Sequence, residues 1–79
     1  MEFKANNYEA SEILKFIRQN ADITQKELAK RLDKSINWVK NNEQGLNRYY
    51  FDDLIKIANI CNVEIIFKDK STKTKKGND

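Results

Sequence analysis

The chain has 79 residues, 39% hydrophobic and 34% charged, with a net charge of +3, no histidine and one cysteine. That length makes one domain with a modest core, and no apolar run approaches the roughly 20 residues that span a bilayer. Without histidine and with one cysteine, neither a zinc site nor a Ser-His or Cys-His nucleophile can be assembled. No internal disulfide can form, and a cytoplasmic protein is expected.

The opening MEFKANNYEA lacks the charged-then-apolar layout of a signal peptide, and none is expected. Met1, Phe3 and Ala5 alternate with polar residues, a two-residue period that predicts a short strand. From Tyr8 to Asn20 the period changes. Ala10, Ile13, Leu14 and Ile17 recur at helical spacing and define an amphipathic helix, with Asn20 as a left-handed stop. Thr24-Gln25-Lys26-Glu27 reads as a capping box, the Thr24 hydroxyl accepting from the Glu27 N–H and the Glu27 carboxylate returning to the Thr24 N–H. The helix it starts, 25–32, buries Leu28, Ala29 and Leu32. Asp33-Lys34 turns the chain. Ser35 caps a third helix, and Gly45 closes it, where positive φ suits glycine.

A fourth helix is predicted over 51–61, with Phe51, Leu54, Ile55 and Ala58 as its apolar stripe. Asp52-Asp53 at its start is the one tight carboxylate pair. Adjacent helical residues point apart, and negative charge is favoured at a helix start, so the pair reads as structural and no enzyme is expected. Asn62 ends this helix. Val63 to Lys68 returns to a two-residue period rich in β-branched residues and predicts a strand, with Val63, Ile65 and Phe67 inward. Its edge needs a cover, either residues 1–5 or the same strand of a two-fold mate. The tail DKSTKTKKGND, residues 69–79, has no apolar residue and is expected to be disordered or to begin a linker, leaving 1–68 as the domain.

Charge is unevenly spread. Residues 68–79 carry five Lys against two Asp, and residues 1–67 carry ten basic and ten acidic side chains. Within that neutral body, Lys26, Lys30, Arg31, Lys34, Lys40 and Arg48 outnumber Glu27, Asp33 and Glu43 over 25–48. Such polarisation suits one basic face for nucleic acid or an ordinary solvated surface.

Two short helices joined by a tight turn have the layout of a helix-turn-helix. ITQKELAKRLDKSINWVKNNEQG, residues 23–45, resembles the helix-turn-helix of the phage-repressor family (Cro/CI, or Xre). The likeness lies in its Thr-Gln start, Leu-Ala in the second helix, Ser-capped recognition helix and Glu-x-Gly ending. FDDLIKIANICNV, residues 51–63, resembles the helix that follows, so the likeness covers about half the chain. Four positions depart from it: Asp33-Lys34 stands where Gly and an apolar residue are usual, Asn42 replaces an apolar residue, and Tyr50 replaces a small hydroxyl cap.

The resemblance implies a mainly α, lambda-repressor-like bundle of four to five short helices with a short C-terminal β-strand. It implies that Arg18 and Glu43 form a buried ion pair, and that Gln25 touches a phosphate or the recognition helix. Ser35, Ile36, Asn37, Lys40 and Asn41 would face the major groove, with Gln44 and Arg48 on phosphates. Helical geometry supports that face on its own: with Val39 inward, Asn37 and Asn41 lie on the opposite side. Asn pairs with adenine, Ile36 suits a thymine methyl, and Lys40 reaches guanine or phosphate. Trp38 either packs against the fourth helix and Tyr49/Tyr50 or stacks on the nucleic acid. The expected function is sequence-specific binding of double-stranded DNA by a homodimeric repressor at a palindromic operator, with no cofactor. The alternative is an interaction module of antitoxin or anti-CRISPR type that binds a toxin or nuclease.

Overall fold

Four helices follow one another in the computed structural model, which describes residues 1–71: α1 (Ala10–Asn20), α2 (Gln25–Leu32), α3 (Ile36–Glu43) and α4 (Phe51–Ile60). Residues 72–79, most of the tail expected to be disordered, lie outside the described residues.

Each helix starts on a side-chain acceptor. Thr24 Oγ1 accepts from the Glu27 N–H at 3.0 Å, and Ser35 Oγ accepts from the Trp38 N–H at 3.0 Å. In α1 and α4 the acceptor reaches backwards: Glu12 takes the Glu9 N–H, and Asp53 takes the Tyr50 N–H. The Asp53 N–H, which a small hydroxyl cap at position 50 would take, goes to Tyr50 O instead. The reciprocal half of the predicted capping box at Thr24 does not form. Arg31, one turn along α2, holds the Glu27 carboxylate at 2.7 Å and keeps its pKa below the usual carboxylate range.

Three helices end alike. Lys34 N–H reaches Ala29 O while Asp33 N–H reaches Lys30 O, and the same nested pair recurs at Leu46/Gly45 and Val63/Asn62. This is the Schellman closure, which needs a left-handed residue just past the helix. Asp33 (φ 59°), Gly45 (φ 78°) and Asn62 (φ 59°) supply it. Asp tolerates this region because its short polar side chain bonds locally, so the turn keeps its path without the usual glycine. After α1 the left-handed residue is Asp22 (φ 60°), not the predicted Asn20, which remains helical.

The core gathers Leu14 and Ile17 of α1, Leu28 and Ala29 of α2, Val39 of α3, and Ile57 and Cys61 at the end of α4. Leu32, expected inside, is half-buried. The stripe predicted for α4 is rotated. Ile57 and Ala58 are buried and Leu54 half-buried, whereas Phe51 and Ile55 face outward. Cys61 is buried, and burial pushes its thiol pKa up.

Neither predicted strand forms among the described residues. Residues 5–7 make a 3₁₀ turn, and Phe3, Tyr8 and Phe16 stack edge-to-face with ring centroids 5.1 to 5.6 Å apart. That trio holds the N-terminal segment on α1, away from any sheet edge. Residues 63–68 then have no ladder partner among the described residues. Of their expected inward face, Val63 is half-buried, while Ile65 and Phe67 are exposed.

Two polar constraints lock the helices together. Arg18 of α1 grips Glu43 of α3 with two bonds, Nε to Oε2 at 2.6 Å and Nη2 to Oε1 at 3.0 Å, and its Nη1 donates to Ile23 O at 2.8 Å. Gln25 at the start of α2 adds a third donor to Glu43 at 3.0 Å. Tyr49, in the loop before α4, donates its hydroxyl to Ala10 O at the start of α1. One buried polar group is left short: Asn42 donates to Trp38 O at 2.8 Å, but its Oδ1 has no partner.

Removing one partner of a buried pair strands the other charge, so Arg18→Ala is expected to cost about 3 kcal/mol, while Arg18→Met with Glu43→Leu recovers most of it. Urea unfolding of both variants decides this; a loss under about 1 kcal/mol for the single variant would count against the pair. Replacing the half-satisfied amide by an apolar isostere, Asn42→Leu, is expected to raise stability by about 1 kcal/mol. A clear loss there would mean that the amide is better satisfied than its geometry indicates. Burial pushes the Tyr49 pKa up to about 12 from 10.0. The folded state therefore holds this proton more tightly, and its contribution is complete below pH 10 and lost as pH rises towards 12. Tyr49→Phe should be about 1 kcal/mol less stable at neutral pH and lose less stability over that alkaline range. Equal alkaline losses in the two proteins would refute the assignment.

Candidate nucleic-acid interface

The α2–turn–α3 unit is a helix-turn-helix, and its geometry fixes what α3 shows to solvent. Val39 is fully buried and Asn42 is buried beside it, which sets one side of the helix against α1 and α2. The far side carries Ser35, Ile36, Asn37 and Lys40, all exposed, and Gln44 continues the row just past the helix.

The remaining residues expected to meet nucleic acid are placed less simply. Asn41 is half-buried, on the flank of this face rather than at its centre with Asn37. Its carbonyl accepts the N–H groups of Leu46 and Asn47, so the Asn41 backbone anchors the loop after α3. Gln25 is half-buried, and its amide is turned to Glu43. Of its two expected roles, it takes the one against the recognition helix. Arg48 is exposed on the loop beyond Gly45. The Ser35 hydroxyl is occupied as the α3 cap. Among the described residues, Asn37, Lys40, Asn41, Gln44 and Arg48 have no side-chain hydrogen bond or ion pair, so their polar groups are free for a ligand.

The electrostatics follow from one residue. Between Lys34 and Arg48 the sequence has a single acid, Glu43. Its side chain is only 3% exposed and is neutralised by Arg18. The outward face of α3 therefore shows amides, a hydroxyl, an isoleucine and cations, with no carboxylate of its own. Glu27 and Asp33, the nearest acids before it, lie on α2 and the turn.

Trp38 is half-buried and packs on the core, with Lys34 Nζ 5.1 Å from its ring centroid. The ring thus packs on the core, with a cation over its face. Lys34, one of the cations of the basic 25–48 stretch and a residue of the turn, also places its charge beside the N-terminus of α3, where recognition helices meet base edges and phosphates. The available signal was its position directly before the cap, at the entry to the helix. No three His, Cys, Asp or Glu side chains among the described residues converge as metal ligands, and no helix among them is long and apolar enough to cross a membrane.

Comparison with known proteins agrees with this geometry. Residues 11–40 match the family model described as winged helix-turn-helix DNA-binding. The match runs from the first turn of α1 through α2 and the turn, and ends within α3. No curated protein and no solved structure matches the chain significantly. The match covers less than half of the chain, and what it establishes is the helix-turn-helix itself.

Proposed function

We propose that the protein binds double-stranded DNA sequence-specifically through α3, as a homodimeric transcriptional repressor of the phage-repressor (Cro/CI, Xre) kind at a palindromic operator. The observation that carries this reading is the carboxylate-free outward face of α3, made by turning Glu43 inward onto Arg18. A helix entering the major groove meets phosphates on both sides, and an outward carboxylate there would oppose binding.

In this reading Asn37 offers its amide to adenine, Ile36 offers its side chain to a thymine methyl, and Lys40 reaches guanine or phosphate. Arg48 and Gln44 contact the backbone, which positions the protein without reading sequence. Asn41, on the flank, contributes less than Asn37. Gln25 acts through Glu43, holding α3 in place. No catalytic role is proposed for any residue. The rival reading, a module that binds a toxin or nuclease, draws its support from the exposed apolar side chains Phe51, Ile55, Ile66 and Phe67. Those lie on α4 and the segment after it, outside α3.

The test is a gel shift on DNA from upstream of the gene at two salt concentrations. Asn37→Ala should relax preference at one base pair, costing ~1–3 kcal/mol there, and Arg48→Ala should weaken all sequences alike and lower the salt slope by about one. Equal affinity for every DNA would sink the sequence-specific part. Absence of binding at low salt would sink the proposal and favour the protein-partner module.

A further inference from the structure

The apolar surface that the core leaves over is concentrated at α4 and the segment after it. Phe51 and Phe67 stack at 6.2 Å, and with Ile55, Ala58, Val63 and Ile65 they line an open groove. Phe51 is 50% exposed, Ile66 68% and Phe67 84%. With Ile55 and Ile65, these side chains leave on the order of 500 Å² of apolar surface in water, given the ~150–250 Å² of an aromatic residue. Monomeric proteins rarely keep more than a few hundred Å² of contiguous apolar surface exposed, and a standard interface takes about 800 Å² from each partner. Among the described residues, no backbone–backbone hydrogen bond involves 64–68. The segment therefore has open donors and acceptors as well as bare side chains.

Its sequence says what covers it. Residues 64–68 read Glu-Ile-Ile-Phe-Lys, with opposite charges at the two ends and apolar residues between. Two such segments, paired antiparallel about a dyad at Ile66, bring each Glu64 across from the other copy's Lys68, and Ile65 across from Phe67. Directly opposed opposite charges favour the pair, and like charges would disfavour it. Parallel pairing in the same register would set Glu64 against Glu64. Glu64 and Lys68 are both exposed and form no ion pair among the described residues.

We infer that residues 64–68 pair antiparallel with the same residues of a second copy, about a dyad at Ile66, while Ile65 and Phe67 of each copy stay over its own α4. Alternation in a strand gives that division: 65 and 67 share one face, and 64, 66 and 68 share the other. A closed two-fold interface uses the same patch on both subunits, which a charge-reversing segment satisfies by construction. The pairing specifies the homodimer of the operator reading above, yet it is testable without DNA.

Sedimentation of the full chain without DNA should show a dimer. Glu64→Lys alone, or Lys68→Glu alone, should each weaken it roughly tenfold by facing like charges twice, and the double variant should restore it. Both side chains are exposed, so the fold, followed by circular dichroism, should persist. Ile66→Cys should cross-link into a disulfide dimer under mild oxidation, because opposed residues bring their Cβ atoms to about 4.5–5.5 Å. Glu64→Cys should cross-link far less. Wild type, whose Cys61 is buried, should not cross-link. A monomer at every concentration, a dimer indifferent to both charge reversals, or a double variant as weak as the singles would overturn the pairing. A monomer that still shifts DNA sequence-specifically would overturn the pairing alone; a dimer that shifts no DNA would overturn the DNA reading alone.

Discussion

The contact between Arg18 and Glu43 governs the arrangement of everything near α3. A carboxylate taken out of water is costly unless its oxygens are filled, and here three donors from two side chains fill them, Arg18 Nε and Nη2 and Gln25 Nε2. Because Arg18 also donates to Ile23 O, one guanidinium joins α1, the loop before α2, and α3. Its planar fork fixes direction as well as distance. The position of α3 is therefore set by a geometry with little freedom, and the side chains opposite Glu43 inherit that definition. The same contact removes the only acid between Lys34 and Arg48 from the outward surface. A structural bond and an electrostatic property of the outward face of α3 share one cause.

The turn between α2 and α3 acts with it. The nested bonds from Asp33 and Lys34 close α2 within two residues, and Ser35 opens α3 at once. So short a connection leaves the two helices no independent motion without breaking either the closure or the cap. Asp33 in the left-handed region is a weaker choice than glycine on conformational grounds alone. Lys34 beside it gains a place over the Trp38 ring, which extends the packing of α3 to its first turn.

Local chemistry was legible where it depends on near neighbours. The Thr24 and Ser35 caps, the left-handed Gly45 and Asn62, and the burial of Val39 all follow from residues within one turn. The α4 stripe was not, because FDDLIKIANI is apolar on more than one side; the sequence admits Phe51/Ile55 and Leu54/Ile57 equally as an inward face. Packing against α1 and α2 chose the second. The Glu27 carboxylate had two partners in reach, the Thr24 N–H and the Arg31 guanidinium, and charge decided for Arg31. Asn41 went half under because the loop returning through Leu46 and Asn47 folds back onto its carbonyl, a contact that helical spacing cannot register. The β pattern of 63–68 is real as a pattern, but a strand is a property of two segments, and the described residues contribute one.

That last point bears on stability as much as on assembly. Among the described residues the buried hydrophobic ones are few, Leu14, Ile17, Leu28, Ala29, Val39, Ile57, Ala58 and Cys61, and one of the largest fully buried side chains is the half-satisfied Asn42. A core this small in a chain this short supplies little margin over conformational entropy. Meanwhile large side chains that would ordinarily enlarge the core lie outside it, on the far side of α4. In a monomer Phe67 and Ile66, largely exposed, add little to the fold and invite aggregation. Their exposed positions make physical sense if, as proposed, association supplies the missing burial. In the proposed dimer stability depends on concentration, and the seam is the paired 64–68 segment, which lies outside α3.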